Sequence, residues 1–400
     1  VTGPSVAVIG GGLSGLASAL FVRDDSRFGE VVVFEGTSVL GGVIRSHVED
    51  GFLFEEGAES ISRVRPAAVA LCNRLGVALM PARISPAATQ VVIDGELVAL
   101  PSGLEIMAAS SYWPLVASPL LKWADRWDVA NEESQARGGV PADVTARLSQ
   151  LFAAPVGGMG AIVQALTEEL ADVEIRTDSP VNVLRPEEGA WLVGAAGSDV
   201  RRFDAVVLAL PLPAAAVLTA QSDPGLGAEL GEVRSHSVVS VNLAWRREDV
   251  PEHLHECPGF LVPEREGRLI SYCAFSSASW RGRADDQHIT LRVLARGDGG
   301  LLALPDDEIY GRLWDELTSL LGITAEPRLR HLVRHPWALP DFDIQHAPRL
   351  GRIEDRLVRL RGLAVGGSLW RGPGMSNVIE SAARAVRKIT GDLEPWPDPM

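Results

Sequence analysis

The chain has 400 residues with an ordinary soluble-protein apolar fraction of 46%, so two domains or one large interleaved domain can be built from it. A formal net charge of −15 argues against nucleic acid and anionic membrane as main partners. All but two of the 37 basic residues are arginine, the exceptions being Lys122 and Lys388.

Val6-Ala7-Val8-Ile9 reads as a buried strand. The turn Gly10-Gly11-Gly12-Leu13-Ser14-Gly15 and a helix from Leu16 follow it, then a second apolar run, Val31 to Phe34, ending on Glu35. This order is the dinucleotide-binding fingerprint. Gly10 permits the tight turn, Gly12 lets backbone approach a pyrophosphate, and Gly15 lets helix and strand pack closely. The helix start offers free N–H groups that suit phosphate, and Leu13 and Ser14 of the turn are counted among the cofactor contacts. Glu35, with Gly36 after it, stands where an acidic ribose ligand is expected.

Gly41-Gly42-Val43-Ile44-Arg45-Ser46 comes next. Paired glycines let backbone reach a cofactor again, and Arg45 offers a forked cation to the pyrophosphate or the flavin edge. At this offset from a full fingerprint, the motif favours FAD over NAD.

Pro66 to Leu75 reads as a helix. Gln90 to Ile93, Asp94-Gly95 and Leu97 to Leu100 read as a hairpin. Residues 105–150 suggest two short helices punctuated by Trp113, Trp123 and Trp127. Gly157-Gly158-Met159-Gly160 opens a helix through Leu170. Strands follow near 173–176, 181–184, 191–195 and 203–210. More come between 236 and 300, giving a sheet of mixed or antiparallel character. Asp306 to Leu321 is an amphipathic helix and Leu363 to Val365 a short strand. A glycine loop, Gly366 to Gly374, then leads to a final helix from about Ser376 to Ile389. Small residues before a helix start again suit an anion, including a reduced flavin.

These three motifs resemble the FAD-dependent protoporphyrinogen and coproporphyrinogen oxidases of the flavin amine-oxidase superfamily. Gly51 to Ser60 is similar to that family's second cofactor segment, and Gly259 to Pro263 to a strand end. Ser276 to Ala284 and Trp337 to His346 also resemble family segments, the latter departing at Asp341, Phe342 and Gln345.

The resemblance implies an α/β fold: an FAD-binding Rossmann-like domain of the glutathione-reductase/amine-oxidase type interleaved with a substrate domain on a mixed sheet. The implied FAD domain takes residues 1–82, 155–235 and 350–400, and the substrate domain 83–154 and 236–349. The implied cofactor contacts add Gly57, Ala58, Glu59, Ser60, Val181 at the adenine, Ala209 near the phosphates, Gly367, Ser368, Gly374, Met375 and Val378. Trp337 and Trp370 would lie near the isoalloxazine, with core packing as their alternative use.

Two departures concern the substrate. The helical region between hairpin and Gly-Gly-Met segment is reduced to about residues 102–156, and neutral Thr89 falls near where some members place a propionate-gripping Arg. The implied reaction is hydride removal from a C–H bond to the N5 of non-covalent FAD, with molecular oxygen as acceptor and hydrogen peroxide as product. The substrate is a porphyrinogen or, alternatively, a smaller amine or cyclic secondary-metabolism intermediate. Pocket candidates are Trp370, Trp337, His346 and Thr89. The lysine that classical amine oxidases place beside the flavin has no counterpart on Ser237 to Trp245.

No metal is expected, the eight histidines being scattered and His253-x-His255 reading as surface. Cys72, Cys257 and Cys273 follow no metal or redox spacing and suggest reduced thiols in a cytoplasmic protein. No leader is expected before the first strand. The apolar run Ala205 to Ala220 is broken by Pro211 and Pro213, so membrane contact is at most peripheral. A homodimer is left open.

Overall fold

The computed structural model describes residues 3–83, 90–99 and 151–391. The chain divides into two compact units, one of residues 1–42, 162–235 and 340–400, the other of 43–161 and 236–339.

The first unit is built on a five-stranded parallel sheet in the order Glu174–Arg176, Val31–Phe34, Val6–Ile9, Ala205–Leu208, Leu363–Val365. Four of these strands (Val-Ala-Val-Ile, Val-Val-Val-Phe, Ala-Val-Val-Leu and Leu-Ala-Val) are buried at every position. A parallel sheet covered on both faces requires such unbroken apolar runs. The helices Leu13–Asp24 and Met375–Thr390 pack on each other. Ile9, Phe34 and Leu208 share a core with Leu226 and Leu230 of Pro224–Gly231 and Ile353 and Leu357 of His346–Arg359. The antiparallel sheet Val181–Glu187, Ala190–Ala195, Arg201–Phe203 adds Trp191 to that core.

The second unit carries a seven-stranded sheet in the order Leu329–Pro340, Ser235–Arg246, His288–Arg296, Ile270–Ala274, Gly259–Leu261, Gln90–Ile93, Glu96–Ala99. Strand alternation separates its two faces. Val239, Val241, Leu243 and Trp245 join Ile309, Leu313, Leu317 and Leu321 of the helix Asp306–Leu321 in one core. Val238 instead packs with Leu294 and Leu339, and Val91 with Leu261. Asp94 and Gly95 both have positive φ, as the Asp-Gly hairpin turn requires. A second hairpin, Ser46–Glu49 and Phe52–Glu55, turns on Asp50-Gly51 with the same sign of φ. Ile61–Ser62 and Leu79–Pro81 flank Phe152–Pro155 in a small antiparallel sheet.

This partition moves the expected domain boundaries. Residues 43–82, expected with the FAD-binding part, belong to the second unit. Phe52 and Phe54 pack on Ala244, Glu55 pairs with Arg283, and the strands at 61–62 and 79–81 need Phe152–Pro155 as their partner. Residues 155–161 go with them, while 340–349 join the first unit. The strand Leu329–Pro340 and the helix His346–Arg359 were not anticipated. Thr89 and the helices expected within 105–150 lie outside the described residues. Among the described residues, no helix is long and apolar enough to cross a membrane.

Candidate functional site

In the first unit, a Cβ on Gly15 would overlap the Gly10 carbonyl oxygen, so strand and helix meet at van der Waals limits there. Gly12 differs. A Cβ on it would come no nearer than 3.8 Å to any protein atom, and its φ of −74° suits any residue. A Cβ would meet Gly41 and Gly42 only at ordinary contact distance, so nothing in the protein's own packing requires glycine at 12, which leaves a closely approaching ligand as the reason for it. Gly12 is bridged to Gly41, and the Gly41 N–H donates to the Gly11 carbonyl at 2.9 Å, which lays the second glycine pair along the first turn.

The helix Leu13–Asp24 has no side-chain cap, and the hydroxyl of Ser14 in its first turn is buried without a partner. A Cβ on Gly366 would stand 2.8 Å from that hydroxyl, so the C-terminal glycine loop also borders this helix start. Gly367 follows with φ of +88° and nothing near its face. The loop ends at Gly374, where the helix Met375–Thr390 begins, again without a side-chain cap. Met375 is buried there, and Val378 donates its N–H to the Gly374 carbonyl at 3.0 Å. Asn377 donates to the Arg371 carbonyl at 2.7 Å, leaving its own amide oxygen buried and unpartnered. Ala209 is fixed beside Gly10 by its N–H to the Ile9 carbonyl at 2.8 Å.

Glu35 closes the other end. Its Oε2 accepts from the Gly11 N–H at 2.7 Å, and its Oε1 accepts from the Thr37 N–H and hydroxyl at 2.9 and 2.8 Å. The Glu35 carbonyl accepts from the Ser179 N–H at 2.8 Å, which brings the start of Val181–Glu187 alongside. Two uncapped helix starts, a buried orphan hydroxyl, an open glycine face and an oriented carboxylate suit a diphosphate with a ribose attached. These residues fit the expected dinucleotide.

Trp370 and His346 are held structurally in this unit. The Trp370 indole N–H donates to the Val365 carbonyl at 2.8 Å, and the Arg384 guanidinium lies 3.8 Å above its ring. His346 donates from Nε2 to the Leu369 carbonyl at 2.9 Å and touches the Phe342 ring, and burial lowers its pKa. Both side chains brace the glycine loop.

In the second unit, the segments at 43 and 57 touch through backbone, since a Cβ on Gly57 would overlap the Val43 carbonyl oxygen. Next to them lies a charged network. Arg45 Nε is 2.9 Å from Glu56 Oε2. Glu56 Oε1 meets His331 Nε2 at 3.0 Å, a contact that, with Arg45, holds its carboxyl below the usual range. His335 donates to the Glu56 carbonyl at 2.7 Å, and burial lowers its pKa. Glu59 is buried against the Ser276 hydroxyl and Arg292, whose guanidinium also donates to the Gly57 carbonyl. Trp337 is 52% exposed with φ of +52°, in a region that costs a bulky side chain energy. Its N–H donates to the Ser237 hydroxyl at 3.1 Å.

Sequence reasoning missed Glu55 and Arg283. Their side chains are 1% and 0% exposed and 2.7 Å apart. Glu55 also accepts from the Ser46 hydroxyl at 2.6 Å and the Met159 N–H at 2.9 Å, tying the Asp50-Gly51 hairpin to the Gly-Gly-Met-Gly turn. Burial raises the Glu55 carboxyl, and Arg283 and these donors oppose that rise. No local spacing in the sequence links positions 55 and 283. Another group without a local signal is His47, Glu56 and His331, where no metal ligands were expected. Their ligand atoms all lie within 4.8 Å of one another.

A family model described as an NAD(P)-binding Rossmann-like domain matches residues 8–75. The chain is 25% identical to the coproporphyrinogen III oxidase of Propionibacterium freudenreichii subsp. freudenreichii, over 96% of this chain and 90% of that one. It is 26% identical to the coproporphyrinogen III oxidase of Mycobacterium tuberculosis (strain ATCC 25618 / H37Rv), over 98% of this chain and 99% of that one. The fold is similar to the crystal structure of a protein from Exiguobacterium sp. 255-15 provisionally named protoporphyrinogen oxidase. The TM-score is 0.80 at 21% identity, covering 98% of this chain and 100% of the other. A model described as flavin containing amine oxidoreductase matches residues 105–390, most of the chain, which therefore belongs to the flavin-containing amine oxidoreductase family.

Proposed function

We propose that this protein is an FAD-dependent oxidase that removes hydride from a C–H bond of a porphyrinogen-type substrate. The observation that carries the cofactor reading is the pair of glycine-preceded, uncapped helix starts at Leu13 and Met375, with the Ser14 hydroxyl buried and unpartnered. The substrate class is supported by the activities for which the similar curated proteins are named. When bound, FAD supplies the two-electron acceptor at N5 for the substrate hydride and passes both electrons to molecular oxygen, giving hydrogen peroxide.

The chain's own residues bind and orient. Gly12 and the Leu13–Asp24 helix start receive the pyrophosphate, Glu35 the adenosine ribose, and the Val181 backbone the adenine. Gly367, Ser368 and the Met375–Thr390 helix start supply N–H groups and a positive dipole end to the flavin's electron-rich edge. Arg45, Gly57 and Ala58 are assigned to the cofactor by the family resemblance. Binding without a covalent link is supported by the cysteines. Cys72, Cys257 and Cys273 are free and buried, and burial raises all three thiols, Cys72 to about 11.

One observation favours the smaller, cyclic substrate. The sheet face bearing Val91, Leu261, Val238 and Leu294 also carries Arg292 and Arg296 of Leu294's own strand. Both arginines are committed: Arg292 to Glu59 and the Gly57 carbonyl, Arg296 to the carbonyls of Val262, Arg268 and Ile270. A substrate bearing several carboxylates would find neither guanidinium free.

Purified flavin-loaded protein should turn coproporphyrinogen III or protoporphyrinogen into fluorescent porphyrin with release of peroxide. If neither yields fluorescence, the porphyrinogen reading fails. Anaerobic bleaching of the flavin by a small cyclic amine would then establish the second.

A further inference from the structure

We propose that His47, Glu56 and His331 form a binding site for a divalent transition metal of the zinc type within the second unit. The three residues come from separate segments: the strand Ser46–Glu49, the residue following Phe52–Glu55, and the strand Leu329–Pro340. Their ligand atoms converge within 4.8 Å. The two imidazoles lie stacked and parallel, with ring centroids 4.1 Å apart and planes 2° from each other, so one ring must turn about its Cβ–Cγ bond to bring both in-plane lone pairs onto one ion.

Ligand atoms on a tetrahedral zinc ion, with bonds near 2.0–2.2 Å, stand about 3.3 Å apart. His331 Nε2 and Glu56 Oε1 are already 3.0 Å apart. Two imidazoles and one carboxylate select zinc, nickel or cobalt over calcium or magnesium, which prefer oxygen alone.

The surroundings support the donors. Glu56 turns Oε1 to His331, while Arg45 Nε stands 2.9 Å from Oε2 as a counter-charge without a well-formed hydrogen bond. His47 has its own carboxylate, Glu49, 3.1 Å from Nε2. Glu49 is exposed and is available as a further ligand, or water fills the remaining position. In the metal-free form His331 Nε2 donates its proton to Glu56, and a metal would take that proton's place while Nδ1 carries the ring's remaining proton.

The test uses flavin-loaded protein freed of metal with a chelator and titrated calorimetrically with zinc at neutral pH. One zinc per chain is expected, together with a rise in Tm in excess zinc. His47→Gln and His331→Gln should each weaken binding at least about tenfold. The double variant His253→Gln/His255→Gln, from a separate polar loop, should bind as the parent does. Flavin content and Tm without metal monitor the fold. If His331→Gln disturbs either, the partly exposed His47→Gln decides. One-to-one binding that survives both single variants overturns the proposal, as does the absence of micromolar zinc binding by the parent.

Discussion

In the unit built on the parallel sheet, the candidate cofactor site is made mainly of backbone: helix starts at Leu13 and Met375, glycines at 12, 367 and 374, and the single carboxylate of Glu35. In the unit built on the seven-stranded sheet, polar chemistry is held by long charged side chains: Glu55 with Arg283, Glu56 with Arg45 and His331, Glu59 with Arg292. Backbone donors are set by neighbours in sequence, so the first kind of site tolerates change wherever a glycine has open space before it. Side-chain networks join residues more than two hundred positions apart, and their buried members, Glu55, Glu59, Arg283 and Arg292, depend on their partners being present.

The sharpest way to break this contrast is at Arg283. Arg283→Met should destabilise by about 3–5 kcal/mol, because the Glu55 carboxylate would remain buried without its counter-charge. The double variant Glu55→Gln/Arg283→Met should recover most of that loss. The guanidinium nitrogens of Arg283 lack well-formed hydrogen bonds despite the 2.7 Å approach, so the intact pair adds little beyond mutual compensation. Denaturant midpoints of the two variants decide this. A double variant as unstable as the single would mean that the charges themselves hold the unit together.

In the backbone-built unit, two alanine substitutions three positions apart should behave differently. Gly15→Ala pushes a methyl group into the Gly10 carbonyl and should cost about 1–3 kcal/mol along with most of the bound flavin. Gly12→Ala meets Gly41 and Gly42 only at ordinary contact distance, 3.8 Å or more, and should leave apoprotein stability within about 0.5 kcal/mol. Its FAD affinity should nonetheless fall at least tenfold, roughly 1.4 kcal/mol. Equal FAD affinity in Gly12→Ala and parent would remove the pyrophosphate from this turn.

Trp337 sharpens the comparison from within the second unit. Its φ of +52° is strained for a bulky residue, and half of its side chain is exposed. Trp337→Gly should stabilise the fold by up to about 1 kcal/mol by relieving that strain. A concurrent loss of turnover would give Trp337 a functional role, whereas stabilisation with unchanged turnover would reduce it to a loop residue.

The contrast also explains what was readable in the sequence. The first sheet and its glycine turns are local signals, and Gly10 to Gly15, Glu35 and Gly366 to Gly374 fall where their spacing placed them. The hairpin at Asp50-Gly51 carried the same turn signal as Asp94-Gly95 but was masked by the cofactor reading of its flanks. Its pairing with distant elements sends residues 43–82 to the second unit. Leu329–Pro340 reads poorly as a strand because Arg330, Arg334 and His335 interrupt its apolar alternation. Those residues are instead satisfied by Tyr310, by the carbonyls of Leu302 and Leu304, and by the carbonyl of Glu56, contacts made only after folding.

His335 offers the smallest and most specific test of the side-chain network. It is buried, and that burial lowers its pKa below the ordinary value of 6.5. In the fold it therefore remains neutral, donating from Nε2 to the Glu56 carbonyl, at pH values where the unfolded chain already binds a proton. The unfolded state holds more protons in that window, so stability falls as pH drops from 6.5 toward the folded pKa and levels off below it. His346, also lowered by burial, adds a slope of the same sign in the first unit. His335→Gln keeps a donor for the Glu56 carbonyl but cannot titrate. Its plot of unfolding free energy against pH should be flatter than the parent's below 6.5, with the His346 slope remaining. If the two plots run parallel, His335 has no depressed pKa, and the network around Glu56 is more open to water than its burial indicates.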